Sequence, residues 1–192
     1  MRYAKDHKEE TRKKILDAAS RLFREKGYDG IGVDAIMNEA GLTAGGFYSH
    51  FASKEALFAE ALGNAYDERN QSLQASLKNT DNAYDLQNLI YGYLSRTHRD
   101  MTAEGCIFPT LTTDVMRGSN ETRASYENRL QKFISSIETR LPESETPERE
   151  RAIAVLVQLI GGVMLARAVN DQQLSSDILK ACRQAAIKVS TE

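Results

Sequence analysis

Residues 32–54, GVDAIMNEAGLTAGGFYSHFASK, constrain this chain more than any other stretch. Val33, Ile36 and Ala40 fall on one helical face. Gly41 supplies the left-handed residue that ends such a helix, and Thr43 stands where the next helix needs an N-cap. Phe47 and Phe51 are four apart and share a face, while Gly45, Gly46, Tyr48, Ser49 and His50 populate the rest. A helix so short, with two glycines and an aromatic-polar face, adds little stability and suits insertion into a groove. Two short helices joined by about four residues including glycine form the helix-turn-helix pattern, here 32–51. The second helix of that pattern enters the major groove of DNA.

The net charge of −2 gives no whole-chain signal for nucleic acid, but its distribution does. Residues 1–27 carry nine Lys/Arg against five acids, a local +4 that leaves −6 for the remainder. A basic start on an acidic body is the asymmetry of a protein that meets phosphate at one end.

Only three prolines, few alternating β-branched runs and repeated i, i+4, i+7 stripes predict an all-α chain of about nine helices. Residues 1–8 are read as frayed, with Thr11 as N-cap of a first helix carrying Ile15, Ala19, Leu22 and Phe23 and ending at Gly27, or with some residues before Thr11 joining it as an extra turn. Ser53 caps a long helix with a stripe through Leu57, Phe58, Ala61, Leu62, Ala65 and Tyr66, able to continue to Leu73 and Leu77. Residues 78–83 read as a linker. Leu86, Leu89, Ile90, Tyr93, Leu94 and Thr97 mark the next helix, and 100–105 breaks it. A short helix over 106–116 holds Pro109 near its start, and a longer one carries Tyr126, Leu130, Phe133, Ile134, Ile137 and Leu141. Thr146-Pro147 reads as an N-cap followed by proline at the first helical position. The following segment, 153–165, is apolar nearly all round and has to be covered on more than one side. The last helix sets Ile178, Cys182, Ala185, Ala186 and Val189 on one face.

At this point TRKKILDAASRLFREKGYDG followed by VDAIMNEAGLTAGGFYSHFASKEALFAEAL resembles the TetR/AcrR family of transcriptional regulators. The resemblance covers residues 8–68, with a dozen motif positions in register, and is one of general kind over the remaining helices. It implies a DNA-binding domain over 8–68 and a ligand-binding and dimerisation domain over 69–192. It also assigns roles: Thr43 caps the recognition helix and offers its hydroxyl to a phosphate. Gly45, Gly46 and Phe47 lie nearest the base edges, and Tyr48, His50 and Lys54 contact phosphates. Ala44 stands within this set where the family often has Lys or Arg, which removes one phosphate contact. Gly32 stands where Ser or Thr usually caps the preceding helix.

One such unit makes few contacts, so a two-fold homodimer reading two half-sites of double-stranded operator DNA is expected. Its interface is expected at Ile153, Leu156, Ile160, Gly161, Met164, Ile178, Cys182 and Ala185, with Gly161-Gly162 letting helix axes approach. A small-molecule effector is expected among Tyr93, Thr97, His98, Cys106, Phe108, Met116, Tyr126 and Met164, a mixed apolar and aromatic set. The regulator would then be a repressor released by that effector. Cys106, after Gly105 at a helix start, offers an alternative as an oxidant or electrophile sensor. A DNA-coating or interaction module is a further alternative.

An enzyme finds no support in the sequence. There is no glycine-rich phosphate loop after a strand, and the three histidines, His7, His50 and His98, stand apart with no metal-ligand spacing. No cofactor, metal or catalytic residue is expected. Two cysteines without such spacing fit a reducing cytoplasm. The longest apolar run, 152–166, is shorter than the ~20 residues of a membrane span.

Overall fold

A computed structural model describes the backbone over residues 2–63 and 82–192, and the side chains over 7–63 and 86–192. The described residues hold ten helices and no strand. Helix α1 is Arg2–Lys26, α2 is Val33–Glu39, and a 3-10 helix spans Ala44–Ser49. Helix α3 begins at 54 and is described to 63. The others are α4 Asn82–Tyr93, α5 Arg96–Asp100, α6 Phe108–Arg117, α7 Asn120–Glu138, α8 Glu148–Ala168 and α9 Gln172–Thr191. The expected stripe through Ala65, Tyr66, Leu73 and Leu77, the 78–83 linker and the domain boundary after residue 68 lie wholly or largely outside the described residues.

In the N-terminal part, α1 buries Ile15, Ala19, Leu22 and Phe23 against Ile36 and Met37 of α2 and Leu57, Phe58 and Leu62 of α3. Helix α1 starts earlier than the sequence reading had it. Thr11 is no N-cap: its hydroxyl donates to the His7 carbonyl at 2.8 Å, one turn back inside the helix. Helix α2 closes as a Schellman motif. The Gly41 N–H donates to Asn38 O at 3.0 Å, and the Leu42 N–H to Met37 O at 2.9 Å. That geometry needs the left-handed φ of +73° at Gly41. Ser53 caps α3 as expected, accepting the Ala56 N–H at 3.0 Å.

In the C-terminal part, α8 is the central helix. Ala152, Val155, Leu159 and Val163 are fully buried between α7 and α9. By length and apolar composition this 21-residue helix, longer than the run read from the sequence, is able to cross a membrane. Its buried face packs between α7 and α9, and its other face, with Ile153, Val157 and Leu165, is exposed. The helix starts at Glu148 with Pro147 at the N-cap and no side-chain cap, one residue later than the Thr146-Pro147 reading. Arg151 is buried and donates to Pro142 O at 2.6 Å and Ser190 O at 3.3 Å, so its charge ties the loop after α7 to the C-terminal end of α9. The 82–97 stripe is not one helix. Ser95 leaves helical geometry and caps a new short helix by accepting the His98 N–H at 3.1 Å, which puts Thr97 on the surface.

Polar contacts tie the two parts together. Arg24 donates to the Ala103 carbonyl. The Tyr28 N–H donates to Asp114 at 3.4 Å, the Ser119 N–H to Glu55 at 2.9 Å, and the Ser125 hydroxyl to Ala59 O at 2.6 Å.

Candidate nucleic-acid interface

The segment after Gly41 is a 3-10 helix, not the α-helix expected. Thr43 occupies the N-cap position in extended geometry (φ −85°, ψ 145°), but its hydroxyl makes no capping bond. Its carbonyl accepts the Gly46 N–H at 3.1 Å, so the backbone caps the turn and the hydroxyl remains exposed and available. The tight winding ends where His50 and Phe51 both donate to Phe47 O, at 2.9 and 3.1 Å.

Phe47 sits beneath this turn, fully buried, stacked on Phe51 at 5.9 Å and edge-on to Tyr48 at 5.2 Å. This corrects its expected place at the base edges: three residues per 3-10 turn carry the ring under the backbone and into the core. Thr43, Ala44, Gly45, Tyr48 and Ser49 are exposed, with Tyr48 at 74%. Gly45 has open space where a Cβ would stand and no positive φ, so nothing within the chain requires a glycine there. Gly46 is half-covered, its Cβ position 3.7 Å from Met37 Cε.

His50 closes the turn half-buried, and its Nδ1 is shielded without a hydrogen-bond partner. Burial first, and then the charges of Lys8 and Arg12, hold its pKa below the ordinary imidazole value. Lys54 is half-buried with its ammonium 4.2 Å from the centroid of the Tyr28 ring, an arrangement the sequence reading did not foresee. Arg12 also went unremarked. Its guanidinium lies 4.4 Å over the Phe51 ring and donates to both Glu60 oxygens at 2.6 and 2.8 Å, fixing α1 across the motif.

Among the described residues, the expected effector residues do not line one common cleft. Tyr93, His98, Cys106 and Phe108 are buried. Tyr93 packs edge-on to His98 at 4.4 Å, and Phe108 stacks on Phe133 at 5.8 Å. Phe108 is therefore core, held there by the apolar face of α6. Thr97 and His98 line a cleft of about 270 Å³, whereas Met116 and Tyr126 line a different one of about 480 Å³ between α6 and α7. Met164 is half-buried on α8. The Cys106 side chain is buried at 7% exposure, and its backbone N–H donates to His98 Nε2 at 3.1 Å. His98 Nδ1 meets Tyr93 O at 2.7 Å, so both ring nitrogens are engaged.

Of the expected dimer residues, Ile153 is exposed and Ile160, Gly161, Met164, Ile178, Cys182 and Ala185 are half-buried. Leu156 belongs to the core instead, at 4% exposure. The two adjacent glycines differ in direction. A Cβ on Gly162 would fall 2.7 Å from Leu94 and 3.0 Å from Cys182, so that glycine admits α4 and α9 of the same chain. Gly161 faces open space. Val157, Leu165 and Leu174 extend the exposed apolar surface beyond the expected set.

The sequence pattern described as "Bacterial regulatory proteins, tetR family" matches residues 15–61, which span α1, α2, the 3-10 helix and the start of α3. The chain belongs to that family. It is a DNA-binding transcriptional regulator of the TetR type. The curated regulator LmrA of Bacillus subtilis is 28% identical over 162 residues, covering 82% of this chain and 86% of LmrA. The repressor NemR of Escherichia coli is 26% identical over 122 residues, 62% of this chain and 60% of NemR. The solved structure of reduced E. coli NemR superposes with a TM-score of 0.79 at 19% identity, over 92% of this chain and 95% of that one. A TetR-family regulator from Cytophaga hutchinsonii gives 0.80 at 16% identity, over 95% and 96%. These two likenesses show the fold of the described residues, beyond the matched N-terminal segment.

Proposed function

We propose that this regulator is a homodimeric repressor whose 3-10 helix reads operator DNA and which a small organic molecule releases. The observation that carries the DNA-reading part is the turn at 43–49. Its exposed residues are small or hydroxyl-bearing, its glycine at 45 has no role inside the chain, and its two phenylalanines are buried as pegs below. A backbone free of bulk at 44–46 can come close to base edges. Thr43, Tyr48, His50 and Lys54 surround it with groups that hold phosphates. Phe47 acts from beneath, setting the height of the turn. The domain division at 68/69 follows from this reading, with the DNA-facing helices before it and the ligand and dimer helices after it.

Dimerisation is supported by the outer surface of α8 and α9. Ile153, Val157, Ile160, Gly161 and Met164 on α8 continue into Leu174, Ile178 and Ala185 on α9 as one apolar face. Such a face on a regulator of this kind fits a two-fold partner, which duplicates the recognition turn for two half-sites. The effector is best accommodated by the cleft at Thr112, Met116 and Tyr126, next to the α6–α7 corner that touches α3. A fold neighbour, FadR of B. subtilis, was solved with stearoyl-CoA, which supports an organic ligand in this architecture. A near-complete switch requires the ligand to prefer the non-binding arrangement by about 5.5 kcal/mol. Binding inside a reducing cytoplasm is consistent with the free cysteines.

The test is a gel-shift titration with duplexes selected by the protein from a random library. A salt-sensitive complex, much tighter on the selected duplex than on random DNA, is expected. Equal affinity for both would replace the repressor with a DNA-coating protein.

A further inference from the structure

His98 is buried in the short helix α5, edge-on to Tyr93, and its two ring nitrogens face in different directions with a backbone partner at each. The Cys106 N–H reaches Nε2 at 3.1 Å. A backbone N–H can only donate, so Nε2 is the bare nitrogen and the proton sits on Nδ1. Nδ1 then donates at 2.7 Å to the carbonyl of Tyr93, the last residue of α4. A neutral ring of this one tautomer thus bridges the end of α4 to the far end of the loop 101–107, which leads into α6. The other tautomer and the imidazolium both carry a proton on Nε2 and lose the Cys106 bond.

The same loop is held on two further sides. Arg167 of α8 donates to the carbonyls of His98 and Arg99, each at 2.8 Å, and to Thr110 Oγ1 at 2.9 Å, which fixes the end of α5 against the start of α6. A Cβ on Gly105 would fall 2.7 Å from Met101 O and 3.2 Å from Arg167 Nη2, so the chain passes here without room for a side chain. Between these anchors, the Ala103 carbonyl accepts the guanidinium of Arg24 on α1. The loop therefore has its ends in the helical core and its middle on the DNA-binding part.

We infer that His98 is a positioning residue for DNA binding, acting through the loop 101–107 on Arg24. By holding Cys106, the ring keeps the Ala103 carbonyl where Arg24 meets it, and so sets how α1 and the motif behind it sit on the helical core. With the loop released, the two recognition turns of a dimer sample more separations, and engaging two half-sites at once costs more conformational order. A single half-site is indifferent to that separation. The role of His98 rests on the dimer proposed above.

The experiment measures anisotropy of the full chain on two labelled duplexes, one selected by the wild type from a random library and the same duplex with one half-site scrambled. Asn at position 98 keeps a donor near the Nδ1 position but no acceptor for Cys106, whereas Gln keeps an acceptor near the Nε2 position. His98→Asn should weaken binding to the two-site duplex by about two- to thirtyfold and leave the one-site duplex unchanged. His98→Gln should recover most of that loss. Arg24→Gln should weaken the two-site complex comparably, and adding it to His98→Asn should cost little more, because both open the same link. Exchange of the Cys106 amide should be slow in wild type and His98→Gln and faster in His98→Asn. Long-range proton–nitrogen NMR of the wild type at neutral pH should show Nδ1 protonated and Nε2 bare. Should His98→Asn not fold, Gly105→Ala, which displaces the same loop, takes its place in the cycle. Wild-type affinity in His98→Asn, fully additive losses, or a proton on Nε2 overturns the inference and leaves the regulator intact. A wild type that binds the two duplexes equally removes the dimer and this role with it.

Discussion

The Glu55 carboxylate in the first turn of α3 accepts the backbone N–H of Ser119 at 2.9 Å, across the boundary between the N-terminal helices and the α6–α7 corner. Ser119 is itself the N-cap of α7, accepting the Thr122 N–H at 3.2 Å. One carboxylate thus connects the start of the helix behind the recognition turn to the start of α7. Hydrogen bonds to charged groups contribute about 1.5–3 kcal/mol, and the partial exposure of Glu55 places this one at the low end. Glu55→Ala should therefore lower stability by about 1–2 kcal/mol in urea denaturation, with Glu55→Gln losing less because the amide oxygen still accepts. Equal losses in the two variants would show that the N–H is not the partner that matters.

The His50 environment predicts a pH dependence with a defined sign. Its folded-state pKa lies below the unfolded value, so the unfolded chain binds the proton more readily. The contribution of His50 to stability is complete above about pH 6.5 and is lost as pH falls through the folded value. A phosphate against the ring favours the protonated form, so DNA binding should take up a proton and tighten as pH falls below neutrality. Anisotropy titrations over a pH series should show this in wild type and not in His50→Gln. The same pH slope in both proteins would assign the proton elsewhere.

Gly45 separates folding from binding. With open space at its Cβ position and no positive φ, Gly45→Ala should leave the melting temperature unchanged or raise stability by about 0.4–1 kcal/mol. The same methyl should weaken the DNA complex by obstructing close backbone approach. Phe47→Ala should behave oppositely, costing about 3–5 kcal/mol of stability because the ring is fully buried. Unimpaired binding by Gly45→Ala would remove the close-approach argument.

The outer face of α8 gives a paired prediction. Val157→Asp changes an exposed residue and should convert a dimer into a folded monomer in sedimentation, with DNA affinity falling alongside. Leu156→Ala, one residue away but buried, should lower stability by about 2–5 kcal/mol and leave the association state of the folded fraction unchanged. A Val157→Asp protein that still sediments as a dimer would move the interface off this face.

The motif was legible because its signals are local. Gly41 ends α2, Ser53 caps α3, and the Phe47–Phe51 spacing marks a common face, all set by neighbours within a few residues. The residues expected to hold an effector were far less legible. Their mixed aromatic character is shared by any helical core, and only three-dimensional packing distinguishes buried Phe108 from exposed Met116. Thr11 misled for a related reason: a threonine before an apolar stripe reads as a cap, yet its hydroxyl is equally able to bond one turn back within a longer helix.

The sequence by itself determined an all-helical chain, the two-helix motif and the register of its turn, because apolar periodicity, left-handed glycine and capping hydroxyls act over a single turn of chain. Tertiary structure alone decided that the recognition segment winds as a 3-10 helix with Phe47 turned inward. It also decided that Gly162 faces α4 and α9 while Gly161 faces open space, and that Arg12 is spent on Phe51 and Glu60 while Lys8 is left exposed. These outcomes depend on which surfaces meet across long separations in sequence, and adjacent residues of the same type receive opposite roles from the side of the helix on which packing leaves them.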